Sequence, residues 1–463
     1  MIALSFHGAA QTVTGSKYLV RVADDSLLID CGLFQGLKEL RLRNWDSPPF
    51  DAHKVQWIVL THCHIDHIGY LPRLVRDGLR GDVWGTPGTA KLAGILLPDS
   101  GRLQEEEAEY RGRRGLSKHK RPLPLYTEEE GQKAAERFRR LRYDAPLELA
   151  PGARATFVQA GHILGSAQLR VEIGDGGERR RIVFSGDLGR YDAPILKDPA
   201  PLGEVDYVVM ESTYGDRAHD AEPIADKLER IFREAVARGG AVVVPAFAVG
   251  RTQELLYHLE QLESAGRIPR LPKYLDSPMA AAATRIYSAT PEDFDEEMRE
   301  LVHEGRSPLA QAEVTTTATV EESRAINRVK GPAIIISASG MATGGRVLHH
   351  LRRRLPDPAT TVLLVGYQAE GTRGRRLQEG GPTVRIFGED VPVRAHVETV
   401  HGFSAHADAD GLLRWLRTAQ RPPRRVFLVH GDPEPARVLE GRIRSELGWE
   451  VAVPRFLDRF AIE

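Results

Sequence analysis

The chain has 463 residues, 41% hydrophobic and 27% charged, with 63 basic side chains against 64 acidic ones. That length exceeds one ordinary compact core and predicts two domains, while the near-zero net charge excludes a globally basic nucleic-acid binder, leaving only a local footprint. No apolar run is long enough to span a bilayer, the opening MIALSFHGAAQTVTGS lacks a signal-peptide pattern, and the two cysteines, Cys31 and Cys63, do not suggest a disulfide framework. A cytoplasmic globular protein with no membrane attachment is the expectation.

In chain order, KYLVRV, SLLIDCG and VQWIVLTH read as short strands with tight turns. RGRRGLSKHKRP (111–122) reads as a solvated loop, and TEEEGQKAAERFRRLRYD as a helix with acids in its first turn and bases later. Strands resume at ATFVQAGHI, QLRVEIG, RIVFSGD and VDYVVMEST, so sheets covered by helices are expected. From about residue 215 the rhythm becomes strand, glycine loop, helix, which predicts a parallel, doubly wound sheet and hence a second domain. AVVVPAFAVGRTQELLYHLEQL, AIIISASGMATGGRVLHHL and TVLLVGYQAEGTRGRRL are its units. HGFSAHADADG and RRVFLVHGD then return to histidine-rich chemistry, so one domain is split and the other inserted into it.

The stretch THCHIDHIGY places His62, His64, Asp66 and His67 within six positions after an apolar run. A strand alternates its side chains, so His62 and His64 would face one ion, while Asp66 and His67, at the turn into a helix, would face a second. A single histidine is more often structural, but four ligand-type residues in so short a frame favour a metal. His162 in VQAGHILGSA, Asp187 in IVFSGDLG and His430 in VFLVHGD are each weak signals alone. Together they complete two sets: His62, His64 and His162 for one ion, Asp66, His67 and His430 for the other, with Asp187 bridging. Two metals about 3.5–4 Å apart can share a hydroxide and stabilise a phosphoryl oxygen. Asp30, in LLIDCG, reads equally well as an acceptor behind a ligating histidine or as a strand-end turn residue.

The order Asp30, HCHIDH, His162, Asp187 and His430 resembles the metallo-β-lactamase superfamily. MESTYG, VPAFAVGRTQE, SASGMATGGR, GYQAEGTRGR and GFSAHAD resemble its β-CASP branch, the nucleases related to the RNA-cutting subunit of the pre-mRNA 3′-end cleavage machinery. The resemblance covers nearly the whole chain. It implies a four-layer αββα sandwich interrupted by a doubly wound α/β β-CASP domain, with residues 1–212 and 400–463 in the first and 213–399 in the second. It further implies two zinc ions and hydrolysis of single-stranded RNA to 5′-phosphate and 3′-hydroxyl ends. His406 is by resemblance the general acid and Glu211 its orienting partner, with Asp66 also among the catalytic residues. A histidine at the position of His430 goes with RNA rather than DNA in that family. A homodimer is one assembly it admits. An appended N-terminal RNA-binding module, carried by some relatives, is not expected, because the opening residues already begin the catalytic domain.

Glycines and arginines at strand-to-helix junctions favour phosphate through free backbone N–H groups and the helix dipole. Gly340 and Arg346 in one loop, and Gly371, Arg373, Arg375 and Arg376 in another, are therefore substrate-binding candidates, although each alone reads as a turn or a solvated helix face. Ser404 resembles a phosphate-contacting serine of the family. His7, His396 and His401 are read as structural or peripheral. The rival functions are a DNA-directed nuclease, a lactam or thioester hydrolase on the same scaffold, and a non-catalytic scaffold subunit.

Overall fold

The computed structural model describes residues 2–22, 25–114, 122–174, 179–220, 222–311 and 313–463. The chain divides into two compact units, Met1–Ala218 with His406–Glu463, and His219–Ala405. Both divisions fall a few residues beyond those expected at 212 and 399. The segment after Glu211 stays with the first unit because Thr213 Oγ1 donates to His430 O (2.9 Å) and Ala409 N to Arg217 O (3.0 Å).

The first unit holds two seven-stranded sheets. One runs, in spatial order, Arg459–Ile462, Ile2–Phe6, Tyr18–Val22, Asp25–Ile29, Trp57–Val59, Asp82–Gly85 and Phe138–Arg140. The other runs Val451–Ala452, Arg425–Val429, Tyr207–Glu211, Arg180–Phe184, Ala167–Ile173, Ala153–Gln159 and Pro146–Ala150. Phe6, Tyr18, Val20 and Ile29 from the first meet Phe157, Leu169, Phe184 and Phe427 from the second in one apolar core. The strand Tyr207–Glu211 shows why its sequence is apolar throughout. Tyr207 and Val209 enter that core, while Val208 and Met210 face the other way, against Leu412, Trp415, Leu439 and Ile443 of the helices Ala409–Leu416 and Pro433–Leu447. Helices Pro87–Arg113 and Glu128–Ala135 pack together, and the former lies on the edge strands of the first sheet. The result is the αββα layering that the resemblance implied.

Two elements differ from their sequence reading. The helix begun by the capping box of Thr127 and Glu130 ends at Ala135, and Phe138–Arg140 instead pairs in parallel with Asp82–Gly85. An open sheet edge there outweighs the helical spacing of FRRLR. Of the expected loop 111–122, the first residues finish the helix Pro87–Arg113, and residues 115–121 lie outside the described residues.

The second unit is a six-stranded sheet in the order Val314–Thr316, Lys273–Leu275, Ile334–Ser337, Val242–Pro245, Thr361–Val365 and His396–Val400, parallel throughout. Val243, Val362 and Leu364 pack against Val347, Leu351, Leu355 and Leu377 from the intervening helices and their ends. The hairpin Thr383–Ile386 with Glu389–Pro392 completes it. Among the described residues no helix is long and apolar enough to cross a membrane.

Candidate metal centre

The strand Trp57–Val59 ends before the histidines begin, so His62 and His64 do not share a face by strand alternation. Leu60 N still reaches Trp84 O (2.9 Å), but Thr61 N turns to the side chain of Asp30 (2.8 Å), and the ladder stops there. Asp66 and His67 lie within the short helix Ile65–Ile68 rather than at its approach. His162, Asp187 and His430 each follow a strand of the second sheet, namely Ala153–Gln159, Arg180–Phe184 and Arg425–Val429.

Their donor atoms converge as two sets around one carboxylate. His64 Nδ1 lies 3.1 Å from His62 Nε2 and 3.3 Å from His162 Nε2, and Asp187 Oδ2 lies 3.4 Å from His62 Nε2 and 3.6 Å from His162 Nε2. On the other side, His430 Nε2 lies 3.0 Å from His67 Nε2 and 3.3 Å from Asp66 Oδ2. Asp187 Oδ1 faces this second set, 3.3 Å from His67 Nε2, and it is buried yet accepts no hydrogen bond of good geometry. Nitrogen lone pairs and a carboxylate oxygen aimed at common points, away from water, fit cations held between them. In each set one atom per residue lies within 4.8 Å of all the others.

Electrostatics distinguish the rings of the two sets. Burial lowers the His62 imidazole and pushes His64 down to about 4, so both present neutral nitrogens at neutral pH. Burial acts the same way on His67, but the Asp187 and Asp30 carboxylates outweigh it and hold that ring well above its ordinary value. For Asp187, burial opposes ionisation and the rings of His430, His67 and His62 outweigh it, so the carboxyl titrates well below its ordinary range.

A supporting shell fixes which nitrogen each ring presents. Asp30 Oδ2 accepts from His67 Nδ1 (2.8 Å), leaving Nε2 for the centre. Asp30 is also a turn residue, with φ +59°, so both of its sequence readings hold. Thr61 Oγ1 donates to Asp30 and lies 3.2 Å from His62 Nδ1; Thr213 Oγ1 lies 3.1 Å from His430 Nδ1. Each hydroxyl, having donated elsewhere, accepts from the imidazole and turns Nε2 inward. Sequence reasoning missed both threonines. Their only signal is a hydroxyl beside a ligand or in MESTYG, and that is too common to single out.

Glu211 is wholly buried, with Oε1 accepting from Leu188 N (2.5 Å) and Oε2 from His406 Nδ1 (2.9 Å). Asp187, Glu211 and His430 form a third close grouping, but both Glu211 oxygens are already committed to protein donors. The His406 side chain retains 18% exposure, and its ring centre lies 4.5 Å from that of His162. Cys31 and Cys63 are buried and unbridged, and burial pushes the Cys31 thiol up to about 12.

The remaining candidates belong to the unit His219–Ala405. There the arginines already have partners. Arg346 donates to Asp276 (2.9 Å) and Ala318 O (2.8 Å), and Arg373 to Arg385 O (2.7 Å) and Thr343 O (3.0 Å). Arg375 pairs with Glu379 (2.7 Å) and Arg376 reaches Thr383 O (3.4 Å). Gly371 has φ +75°, Gly340 packs under the Phe247 ring, and Ser404 is buried.

Comparison with known proteins identifies this architecture. Residues 12–78 match the metallo-beta-lactamase superfamily, 252–377 the Beta-Casp domain, and 390–454 the Zn-dependent metallo-hydrolase RNA specificity domain. The chain is 40% identical to Ribonuclease TTHA0252 of Thermus thermophilus, over 97% of each chain. It belongs to the β-CASP family of the metallo-β-lactamase superfamily. This β-CASP chain is also 31% identical to transcription termination factor FttA of Methanocaldococcus jannaschii, covering 100% of itself and 72% of that protein. A crystal structure of a protein of unknown function from Enterococcus faecalis V583 shares the β-CASP chain's fold, with a TM-score of 0.57 at 12% identity over the full length of both.

Proposed function

We propose that this β-CASP protein is a metal-dependent ribonuclease that hydrolyses phosphodiester bonds of single-stranded RNA, leaving 5′-phosphate and 3′-hydroxyl ends, with two zinc ions as cofactors. The observation that carries the reading is Asp187, whose two oxygens face separate donor sets on either side of one buried carboxylate. Bound in those sets, zinc would supply Lewis acidity toward a phosphoryl oxygen and would lower the pKa of water.

The chain's own residues account for the rest. His62, His64 and His162 hold one site, Asp66, His67 and His430 the other, and Asp187 joins them. Asp30, Thr61 and Thr213 keep the rings in the tautomers that present Nε2 inward. The group leaving phosphorus is a sugar 3′-oxygen, a poor leaving group unless protonated as it departs. His406, steadied through Nδ1 by Glu211, has Nε2 to deliver that proton. The name of the Thermus relative and the match to the RNA specificity domain favour RNA over DNA or a lactam.

Elemental analysis paired with digestion of one sequence as labelled RNA and as DNA tests the whole reading. About two zinc ions per chain and RNA products bearing 5′-phosphates are expected. An active preparation without metal, or equal cleavage of DNA, would overturn it.

A further inference from the structure

The acid proposed for the leaving oxygen, His406, is held through its backbone and through one ring nitrogen. The backbone bridges to Gly189, with Ala407 N donating to Leu188 O (2.8 Å), and Nδ1 meets Glu211 Oε2 at 2.9 Å. A single hydrogen bond fixes a point and leaves the plane of the ring open. The χ2 torsion of a histidine is broad, so coupled changes in χ1 and χ2 can pivot the imidazole about Nδ1 and carry Nε2 off line. A proton donor must come within about 2.6–3.2 Å of the departing oxygen, so the tilt of the ring matters.

His162 and His430 lie against this ring, at 4.5 and 6.2 Å between ring centres, but both belong to the ligand sets. Tyr214 does not. Its ring centre is 5.7 Å from that of His406, with the two planes at 78°. That is an edge-to-face pair, and tilting either ring loses the match between positive edge and negative face. Such a neighbour resists the pivot that the Glu211 hydrogen bond permits.

Tyr214 can act as a wall because it is itself braced. It lies three residues beyond Glu211, in the turn that follows the strand Tyr207–Glu211. Gly215 N donates to Ser212 O (3.2 Å) and Arg217 N to Tyr214 O (3.4 Å). A Cβ on Gly215 would come within 2.6 Å of Pro435 O, so the turn sits directly against the helix Pro433–Leu447. The Arg217 guanidinium lies over the Tyr214 ring, 5.2 Å from its centre, and donates to both oxygens of Asp216 (2.7 and 3.0 Å). Arg217 O accepts from Ala409 N (3.0 Å), three residues after His406. One short segment thus meets the imidazole twice, Glu211 at a nitrogen and Tyr214 at the ring.

We propose that Tyr214 is a positioning residue for the leaving-group acid: its ring sets the plane of the His406 imidazole and so the aim of Nε2. The proposal rests on the acid reading of His406 and deepens it. Tyr214 acts through His406 and needs no contact with the RNA.

A double-mutant cycle on the metal-loaded full chain tests this, with labelled single-stranded RNA and bis-nitrophenyl phosphate as substrates. Tyr214→Leu keeps bulk but no flat ring, and should lower kcat on RNA roughly tenfold at unchanged KM, a part of what the acid supplies. The loss should be smaller on bis-nitrophenyl phosphate, whose leaving group needs no proton. Tyr214→Phe keeps the ring and should retain wild-type kcat. In a His406→Ala background, adding Tyr214→Leu should cost nothing further on RNA, because the imidazole it acts through is gone. Wild-type kcat in Tyr214→Leu, an equal loss on both substrates, or a further tenfold loss in the His406→Ala background overturns the positioning role. So does a leucine variant that loses metal, or a phenylalanine variant as slow as the leucine one. These outcomes leave the acid reading standing. If His406→Ala alone falls equally on the two substrates, the acid reading itself fails, and the positioning role with it.

Discussion

At His406 the ring is held on Nδ1 by the buried Glu211 carboxylate, the contact on which its proposed acid role rests. His406→Ala should keep its metals and lose roughly 10²–10⁴ in rate on RNA. The loss should shrink on bis-nitrophenyl phosphate, whose leaving group needs no proton; equal losses on the two substrates would remove His406 from the acid role. Asp30→Asn tests the supporting shell. It weakens the acceptor that orients His67 and should cost about 10–100-fold in metal affinity, measured by competition with a chelator. His7 gives a pH prediction. Burial, then Lys17 and Arg21, lower its ring from 6.5 to about 4. Between those values the unfolded chain binds the proton and the folded chain does not. Stability should therefore fall as pH drops from 6.5 toward 4, by at most roughly 3 kcal/mol. His7→Gln should flatten that limb relative to wild type in denaturant titrations. Of these residues, His406 and Glu211 were legible by resemblance. Asp30 was legible only as an even choice, because an aspartate after a strand is common whether or not it backs a ligand.

The element that matters most to the centre is one of the shortest, the helix Ile65–Ile68 that carries Asp66 and His67. So short a helix cannot hold itself in place by its own hydrogen bonds. Neighbouring loops hold it: Ser16 N donates to Asp66 O (2.9 Å), Cys31 N to His67 O (2.7 Å) and Leu33 N to Ile65 O (3.0 Å). Gly32 lies so near that a Cβ would come within 1.5 Å of Asp66 O. Gly32→Ala should therefore push the helix away, costing on the order of 3 kcal/mol and depleting metal from the set of Asp66, His67 and His430. Thermal unfolding and metal analysis check this together, and a variant with full metal and unchanged Tm would show that the loops have slack. The same element shows the limits of periodicity. His62 and His64 were expected to converge as strand alternates, and they do converge, but on backbone redirected by Asp30.

For the molecule as a whole, the near balance of 63 basic and 64 acidic side chains has a consequence for binding. Arg346, Arg373 and Arg375 are already paired inside their unit, so these loops have little uncommitted charge with which to release counterions from RNA. The slope of log K against log salt for single-stranded RNA should be shallow, no steeper than about −3, or some four phosphate contacts at roughly 0.7 each. Affinity measured across a salt series decides this, and a steep slope would return the arginine loops to the phosphate-binding role read from sequence.

The sequence by itself determined the fold class, the interruption of one unit by another, and the residue types of the metal centre. Alternating burial, strand–glycine–helix rhythm and clustered histidines are local patterns, and local patterns survive in one dimension. Tertiary structure alone decided what depends on distance between remote segments: that each Asp187 oxygen faces its own donor set, and that Thr61 and Thr213 choose the tautomers. A hydrogen bond is made or missed within a few tenths of an ångström, and no spacing along the chain encodes that between residues as far apart as Asp66 and His430.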